Sequence, residues 1–257
     1  MATGTTRLLL SNLAVKSSTT SSYPRLRNTP SALTNYPASN VLNPDRTVVW
    51  AVGSVIGDHV LDFDLGAAKS VNLLGVHGWT VNYVMPTQMQ VFAGAVYPFD
   101  ASWVYAGAES YGLAGRRDAL WMLSETLSYR YWRFQFNLNI SGFQLGKCVL
   151  GMASDLGIAF SPGSTDTLVR PRVSTPMVDG IQTKTATGLN YRRLGMQFLR
   201  VPQSIRDTLM SAAERGPVSL LDPYERGFEI DLDELTATAI WGDPDLYDIA
   251  FEVQSLP

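Results

Sequence analysis

The sequence has one cysteine, Cys148, and two histidines, His59 and His77, in 257 residues. One sulfur excludes an intrachain disulfide framework and a cysteine-rich zinc site, since both need several thiols. Two imidazoles leave little for acid–base chemistry near neutral pH. His59 opens an alternating segment and His77 stands beside Gly78-Trp79, and both read as surface or packing residues. Charge is sparse as well: 17% of residues are charged, 20 basic against 23 acidic, for a formal net charge of −3. The basic residues are scattered rather than gathered along one face, so no nucleic-acid partner is expected. The longest apolar runs, such as 8–10 and 71–76, fall well short of the ~20 residues that cross a bilayer, and no membrane insertion is expected. Three leucines after Arg7 are too few for a signal peptide's apolar stretch, which points away from secretion. The Asn139-Ile140-Ser141 sequon would matter only in a secretory pathway.

Motifs that carry chemistry are missing too. There is no Gly-x-Ser-x-Gly elbow, and Cys148, beside Lys147 in an apolar run, reads as a buried structural thiol. Gly107, Gly112 and Gly115 do not link a strand to a helix as a phosphate-cradling loop requires, and they read as turn-makers. The acidic runs at 231–234 and 243–248 lack the spacing of a calcium loop and read as solvated loop faces. No carboxylate pair can be singled out for glycoside hydrolysis. The expectation is a protein that is not an enzyme and uses no cofactor or metal.

What the chain does have is 21 Gly and 14 Pro between runs of β-branched and aromatic residues. That texture predicts an all-β protein. The tract at 16–40 carries Ser17-Ser18-Thr19-Thr20-Ser21-Ser22 and then Pro24, Pro30 and Pro37, which forbid a helix. Tyr23, Leu26, Leu33 and Tyr36 would anchor it as a wrapped loop. Residues 59–66 alternate Leu61, Phe63 and Leu65 with Asp62 and Asp64, the period of a half-buried strand. Across 129–136 the same period puts Tyr129, Tyr131, Arg133 and Gln135 on one face. It puts Arg130, Trp132, Phe134 and Phe136 on the other, with the last three in the core. Proline and glycine between 152 and 187 suggest a linker, so the expected domains are 1–152, a β-sandwich with an extended N-terminal arm, and 153–257, a β-rich assembly domain. In the latter, Ile205, Leu209 and Ala212 or Ala213 recur at helical spacing after Pro202 and stop at Gly216-Pro217, which predicts one helix. Short strands are expected at 194–201, 218–221, 227–232, 236–241 and 248–253. Of the six tryptophans, Trp132 is expected in the core. Trp79 and Trp103 lie in turn-rich segments and are the candidates for an exposed ligand or interface contact.

Four segments fall in a telling order: Asn40-Val41-Leu42-Asn43-Pro44-Asp45 before Trp50, Asp64-Leu65-Gly66 closing a strand, Tyr131-Trp132-Arg133-Phe134, and Phe143-Gln144-Leu145-Gly146-Lys147. In this they resemble galactose-binding-like (discoidin-like) β-sandwiches, over roughly residues 7–152. The opening Leu8-Leu9-Leu10-Ser11-Asn12-Leu13-Ala14 and the continuation into Gly216-Pro217-Val218-Ser219-Leu220-Leu221-Asp222-Pro223 resemble structural proteins of bacteriophage tails. The first resemblance implies a jelly-roll sandwich. The second implies a virion protein of the tail tip or baseplate, assembled in the bacterial cytoplasm and partnered by other tail proteins and by itself in a ring or trimer. The alternatives are a carbohydrate-binding module or receptor adhesin that contacts a cell-surface glycan, and a capsid decoration protein. The positions through which discoidin-like domains hold sugar or calcium have no residue-by-residue match here, and a fold alone leaves function open.

Overall fold

A computed structural model describes residues 5–16, 22–28, 32–45, 47–52, 57–78, 88–109, 118–138, 143–157, 164–169, 172–176, 182–186, 191–214, 218–221, 227–240 and 243–255. The strands are β1 (Arg7–Leu9), β2 (Arg25–Leu26), β3 (Trp50–Ala51), β4 (Gly57–His77), β5 (Gln88–Gly94), β6 (Val104–Glu109), β7 (Ala119–Leu138), β8 (Gln144–Leu145), β9 (Lys147–Gly151) and β10 (Ala153–Asp155). They continue as β11 (Thr165–Val169), β12 (Arg172–Pro176), β13 (Gln182–Ala186) and β14 (Tyr191–Pro202). Helix α1 (Gln203–Ala213) follows, and then β15 (Val218–Leu221), β16 (Gly227–Ile240) and β17 (Asp243–Ser255). The all-β expectation is borne out, with one α-helix among the described residues. Backbone contacts divide the chain into Leu9–Ser154 with Glu225–Gly227, and Met1–Leu8 with Asp155–Tyr224 and Phe228–Pro257.

The first unit is a β-sandwich built on two long strands. β4 and β7 pair antiparallel from Gly57↔Leu138 to Asp64↔Tyr131, and again from Lys69↔Tyr129 to Val76↔Ala119. β2 and β9 pair with β4, and β5 continues the sheet from β7 to β6. Alternation decides what is buried. Leu61, Phe63 and Leu65 from β4 and Trp132, Phe134 and Phe136 from β7 face one core with Trp50, Phe143 and Leu145. Trp50 sits edge-on to Phe136 and Phe143, with centroids 6.0 and 5.7 Å apart, and to His59 at 6.4 Å. Each such ring removed from water stabilises the fold by about 1.5–3 kcal/mol. Asn12 fastens the chain to β9: its amide donates to the Cys148 carbonyl (2.7 Å) and its Oδ1 accepts from the Leu150 N–H (3.0 Å).

The second unit carries a sheet in the order β10-β1-β15-β16-β17-β14-β11, with β12 and β13 as a separate hairpin. Its buried side chains include Met196, Phe198 and Val201 of β14, Leu209 and Ala212 of α1, Val218, Leu220 and Leu221 of β15, Ile230 and Ile249. Leu209 and Ala212 are two of the residues that predicted the helix.

Several local expectations are corrected. The segments 227–232 and 236–241 are not two strands, since β16 runs unbroken from Gly227 to Ile240. The acidic run at 231–234 is therefore within a strand, where the register against β17 shifts between Asp231 and Glu234. A bulge accommodates the residues that broke the alternation and made the run look like a loop. The run at 243–248 lies in β17. Gly107 is no turn-maker but part of β6, at φ +152° beside a register shift against β5, while Gly112 and Gly115 lie outside the described residues. Of the anchors expected in the 16–40 tract, Leu26 packs against the core, whereas Tyr23, Leu33 and Tyr36 are exposed.

Candidate functional site

The face of the β2-β4-β7-β5-β6 sheet turned away from the core collects polar and aromatic side chains. The alternation that buries Leu61 and Phe63 turns Asp62 and Asp64 outward, and register places Arg133 opposite Asp62, Phe92 opposite Arg133, and Tyr105 opposite Phe92. β2 and the residue that follows it add two arginines. Arg25 pairs with Asp64 and Leu26 with Phe63, after which the Arg27 N–H donates to the Asp62 carbonyl. The Asn28 amide then donates to the Val60 carbonyl (2.6 Å) while its Oδ1 accepts from the Asp62 N–H (2.8 Å). These bonds fix Arg25 and Arg27 over β4.

Both carboxylates are closed to solvent and held by guanidinium groups. Arg133 grips Asp62 through two bonds of 2.7 and 2.8 Å. Asp64 receives Arg130 at 2.7 and 3.1 Å, Arg25 at 3.3 and 3.2 Å, and the Gly66 N–H at 2.9 Å, with Arg27 Nε at 3.6 Å. Burial by itself raises the Asp64 carboxyl, but the hydrogen bonds from Arg130, Gly66 and Arg25 outweigh it and hold the group below the ordinary carboxylate range. The same bond raises Arg130. Alternation had placed Arg130 on the core side with Trp132, and this is corrected. β4 carries extra residues between Asp64 and Lys69 opposite Arg130, and at that irregularity Arg130 reaches Asp64.

Rings continue the face without a break. Tyr105 meets Phe92 (5.6 Å), Phe92 meets Phe99 (5.4 Å), Phe99 meets Trp103 (5.3 Å), Trp103 meets Tyr131 (6.4 Å) and Tyr131 meets Tyr97 (5.8 Å). Guanidinium groups lie over them: Arg133 over Phe99 at 4.0 Å, Arg27 over Tyr97 at 5.2 Å, Arg130 over Tyr131 at 4.9 Å and Arg25 over Tyr23 at 5.1 Å. Tyr105 is 53% exposed and Phe99 and Tyr23 are 37% exposed. Along the same face, Asp58 accepts from the amides of Gln135 (3.0 Å) and Asn137 (2.8 Å).

Trp103, expected as an exposed contact, is 7% exposed. Its ring lies against Gly94, where a β-carbon would stand 2.5 Å from it, and its Nε1 donates to the Val96 carbonyl at 2.9 Å. A glycine in the sheet makes the room, and Trp103 serves as a floor under Phe99 rather than as a free stacking surface. Trp79 and the Asn139 sequon lie outside the described residues. Both histidines are buried. His77 Nδ1 stands 3.2 Å from Asp118, whose carboxylate also accepts the Gly78 N–H. Cys148 is fully buried as expected, and burial pushes its thiol well above the ordinary value. No group of three or more potential metal ligands occurs among the described residues.

Sequence reasoning missed Arg25, Arg27, Tyr97 and Phe99 altogether. The available signal was the opposite sign of the polar positions in β4 (Asp62, Asp64) and β7 (Arg133).

No family model and no curated protein matches the chain. Among solved structures, chitosan-binding module 1 from a chitosanase/glucanase of Paenibacillus sp. IK-5 is 14% identical, covering 55% of this chain and 99% of that one, with a TM-score of 0.44. Chitosan-binding module 2 of the same enzyme, in complex with chitotriose, is 11% identical over 55% of this chain and all of that one (TM-score 0.43). CBM32-3 from a family 31 glycoside hydrolase of Clostridium perfringens is 13% identical over 50% and 90% (TM-score 0.40). None of the three is a phage tail protein, and the tail resemblance has no counterpart among them.

Proposed function

We propose that the chain is a non-catalytic carbohydrate-binding protein whose ligand lies across the outer face of the β2-β4-β7-β5-β6 sheet. The observation that carries this reading is the unbroken ring path from Tyr105 to Tyr97, partly exposed and interleaved with fixed planar polar groups. Aromatic faces pack on the C–H faces of sugar rings, while guanidinium, amide and carboxylate groups along the same surface hydrogen-bond to hydroxyls. Arg133 is held by Asp62, and Gln135 and Asn137 are held by Asp58, so little side-chain freedom is lost on binding. The test is a polysaccharide panel read by affinity electrophoresis with the wild type, Tyr105→Ala and Phe99→Ala. Retardation by at least one polysaccharide, weakened about tenfold or more by either substitution, is expected. A panel that retards nothing, or retardation indifferent to both substitutions, overturns the reading.

A further inference from the structure

Three arginines converge on one carboxylate. Arg130 alone makes a bidentate pair with Asp64, which is what neutralising a buried carboxylate requires, yet Arg25 and Arg27 are brought to the same oxygen at 3.2 and 3.6 Å. The surplus is two positive charges in a protein whose formal net charge is −3. The side chains of Arg25, Arg27 and Arg130 remain 45%, 33% and 34% exposed. The rings of Tyr23, Tyr97 and Tyr131 lie against these groups. Of the other acids, Asp62 is neutralised by Arg133, while Asp58 and Asp100 take their hydrogen bonds from the neutral Gln135, Asn137 and Ser102 rather than from these arginines. Holding like charges together costs free energy, and an incoming anion relieves it.

Resting on the carbohydrate reading above, we propose that the saccharide is anionic and that a sugar carboxylate docks on Arg25, Arg27 and Arg130, with the adjoining sugars following the rings toward Tyr105. A uronic-acid polymer has this chemistry. The guanidinium fork matches a carboxylate's two oxygens, whereas a hydroxyl uses only one donor. The buried Asp64 presets the fork and adds no exposed negative charge of its own.

The experiment is calorimetric titration of the full chain with an oligogalacturonate, with the same oligosaccharide as its methyl ester, and with polyglutamate as an anion without sugar. The acid should bind at least tenfold more tightly than the ester, with an affinity that falls as salt rises. Arg25→Gln and Arg27→Gln, both of which keep the Arg130–Asp64 pair and hence the fold, should each erase most of that preference. Tyr105→Ala should weaken acid and ester alike. Equal binding of acid and ester overturns the anionic inference and leaves the carbohydrate reading standing. Polyglutamate binding as tightly as the oligogalacturonate also overturns it and points to an acidic protein partner. Binding of none of the three overturns the inference, and a blank polysaccharide panel as well overturns the reading beneath it.

Discussion

At the scale of single residues, the outer face depends on a hydrogen atom and a carboxylate. Gly94→Ala would put a methyl group 2.5 Å from the Trp103 ring, which its bond to the Val96 carbonyl prevents from tilting freely. A loss of about 1–3 kcal/mol in urea denaturation is expected, with a shift in tryptophan emission. Unchanged stability would mean that the ring does not rest on Gly94. Asp64 carries part of the pH dependence. Its folded pKa lies below the unfolded value, so its contribution is complete above pH ~4 and is lost as pH falls through the folded pKa. Asp64→Asn should cost about 1–3 kcal/mol at pH 7, and the gap from wild type should narrow below pH ~4. A gap that stays constant down to pH 2 would show that the carboxylate is not held by its arginines. Cys148 supplies a reporter: its buried, proton-retaining thiol should resist Ellman's reagent at pH 8 in the native state and react as urea unfolds the chain. Rapid labelling without denaturant would contradict its placement. The sequence made this residue legible, because a thiol within an apolar strand has few other environments. It did not reveal Asp64 as a hub, since Arg25 and Arg130 reach it from 39 and 66 positions away.

Among the elements, β4 and β7 show where periodicity is reliable and where it fails. Trp132, Phe134 and Phe136 were legible as core because each takes its face from the pleat alone. Arg130 was not, because a register shift in the partner strand re-aims it, and that partner is far away in sequence. The rings at the far end of the path were illegible for a related reason: Phe99 and Tyr97 lie beyond the end of β5, and no period governs them. The tightness of β4 can be tested at its glycines. Gly75 lies where β4 is paired with both β7 and β9, and a β-carbon there would stand 2.1 Å from the Ala119 carbonyl oxygen. Backbone cannot step aside as a side-chain tip can, so Gly75→Ala should cost about 3 kcal/mol or more, or leave no soluble protein. Gly57, at the start of the same strand, has open space around that position and only an unfavourable φ of +140°. Gly57→Ala should cost about 1–2 kcal/mol. Thermal midpoints that reverse this order would mean that the pairing around Gly75 is looser than described.

At the scale of the whole molecule, two sets of buried side chains, one around Trp50 and Trp132 and one around Phe198, Leu209 and Ile249, imply two cooperative units. Calorimetry should resolve two transitions, and Trp50→Ala, worth about 3–5 kcal/mol, should lower only one of them. A single transition that moves as a whole would make the chain one cooperative block. The long β4–β7 pairing also sets a schedule. Its nearest paired residues, Val76 and Ala119, are separated by roughly forty others, so the two strands cannot zip up from a tight hairpin and must first close a long loop. During synthesis, at about 5–20 residues per second, β4 leaves the ribosome several seconds before the last of β7 has been made. Throughout that interval Leu61, Phe63, Leu65, Val71 and Leu74 lack the long partner β7, with only the two-residue β2 already made beside β4. The nascent chain is therefore most dependent on chaperones between the emergence of β4 and the completion of β7.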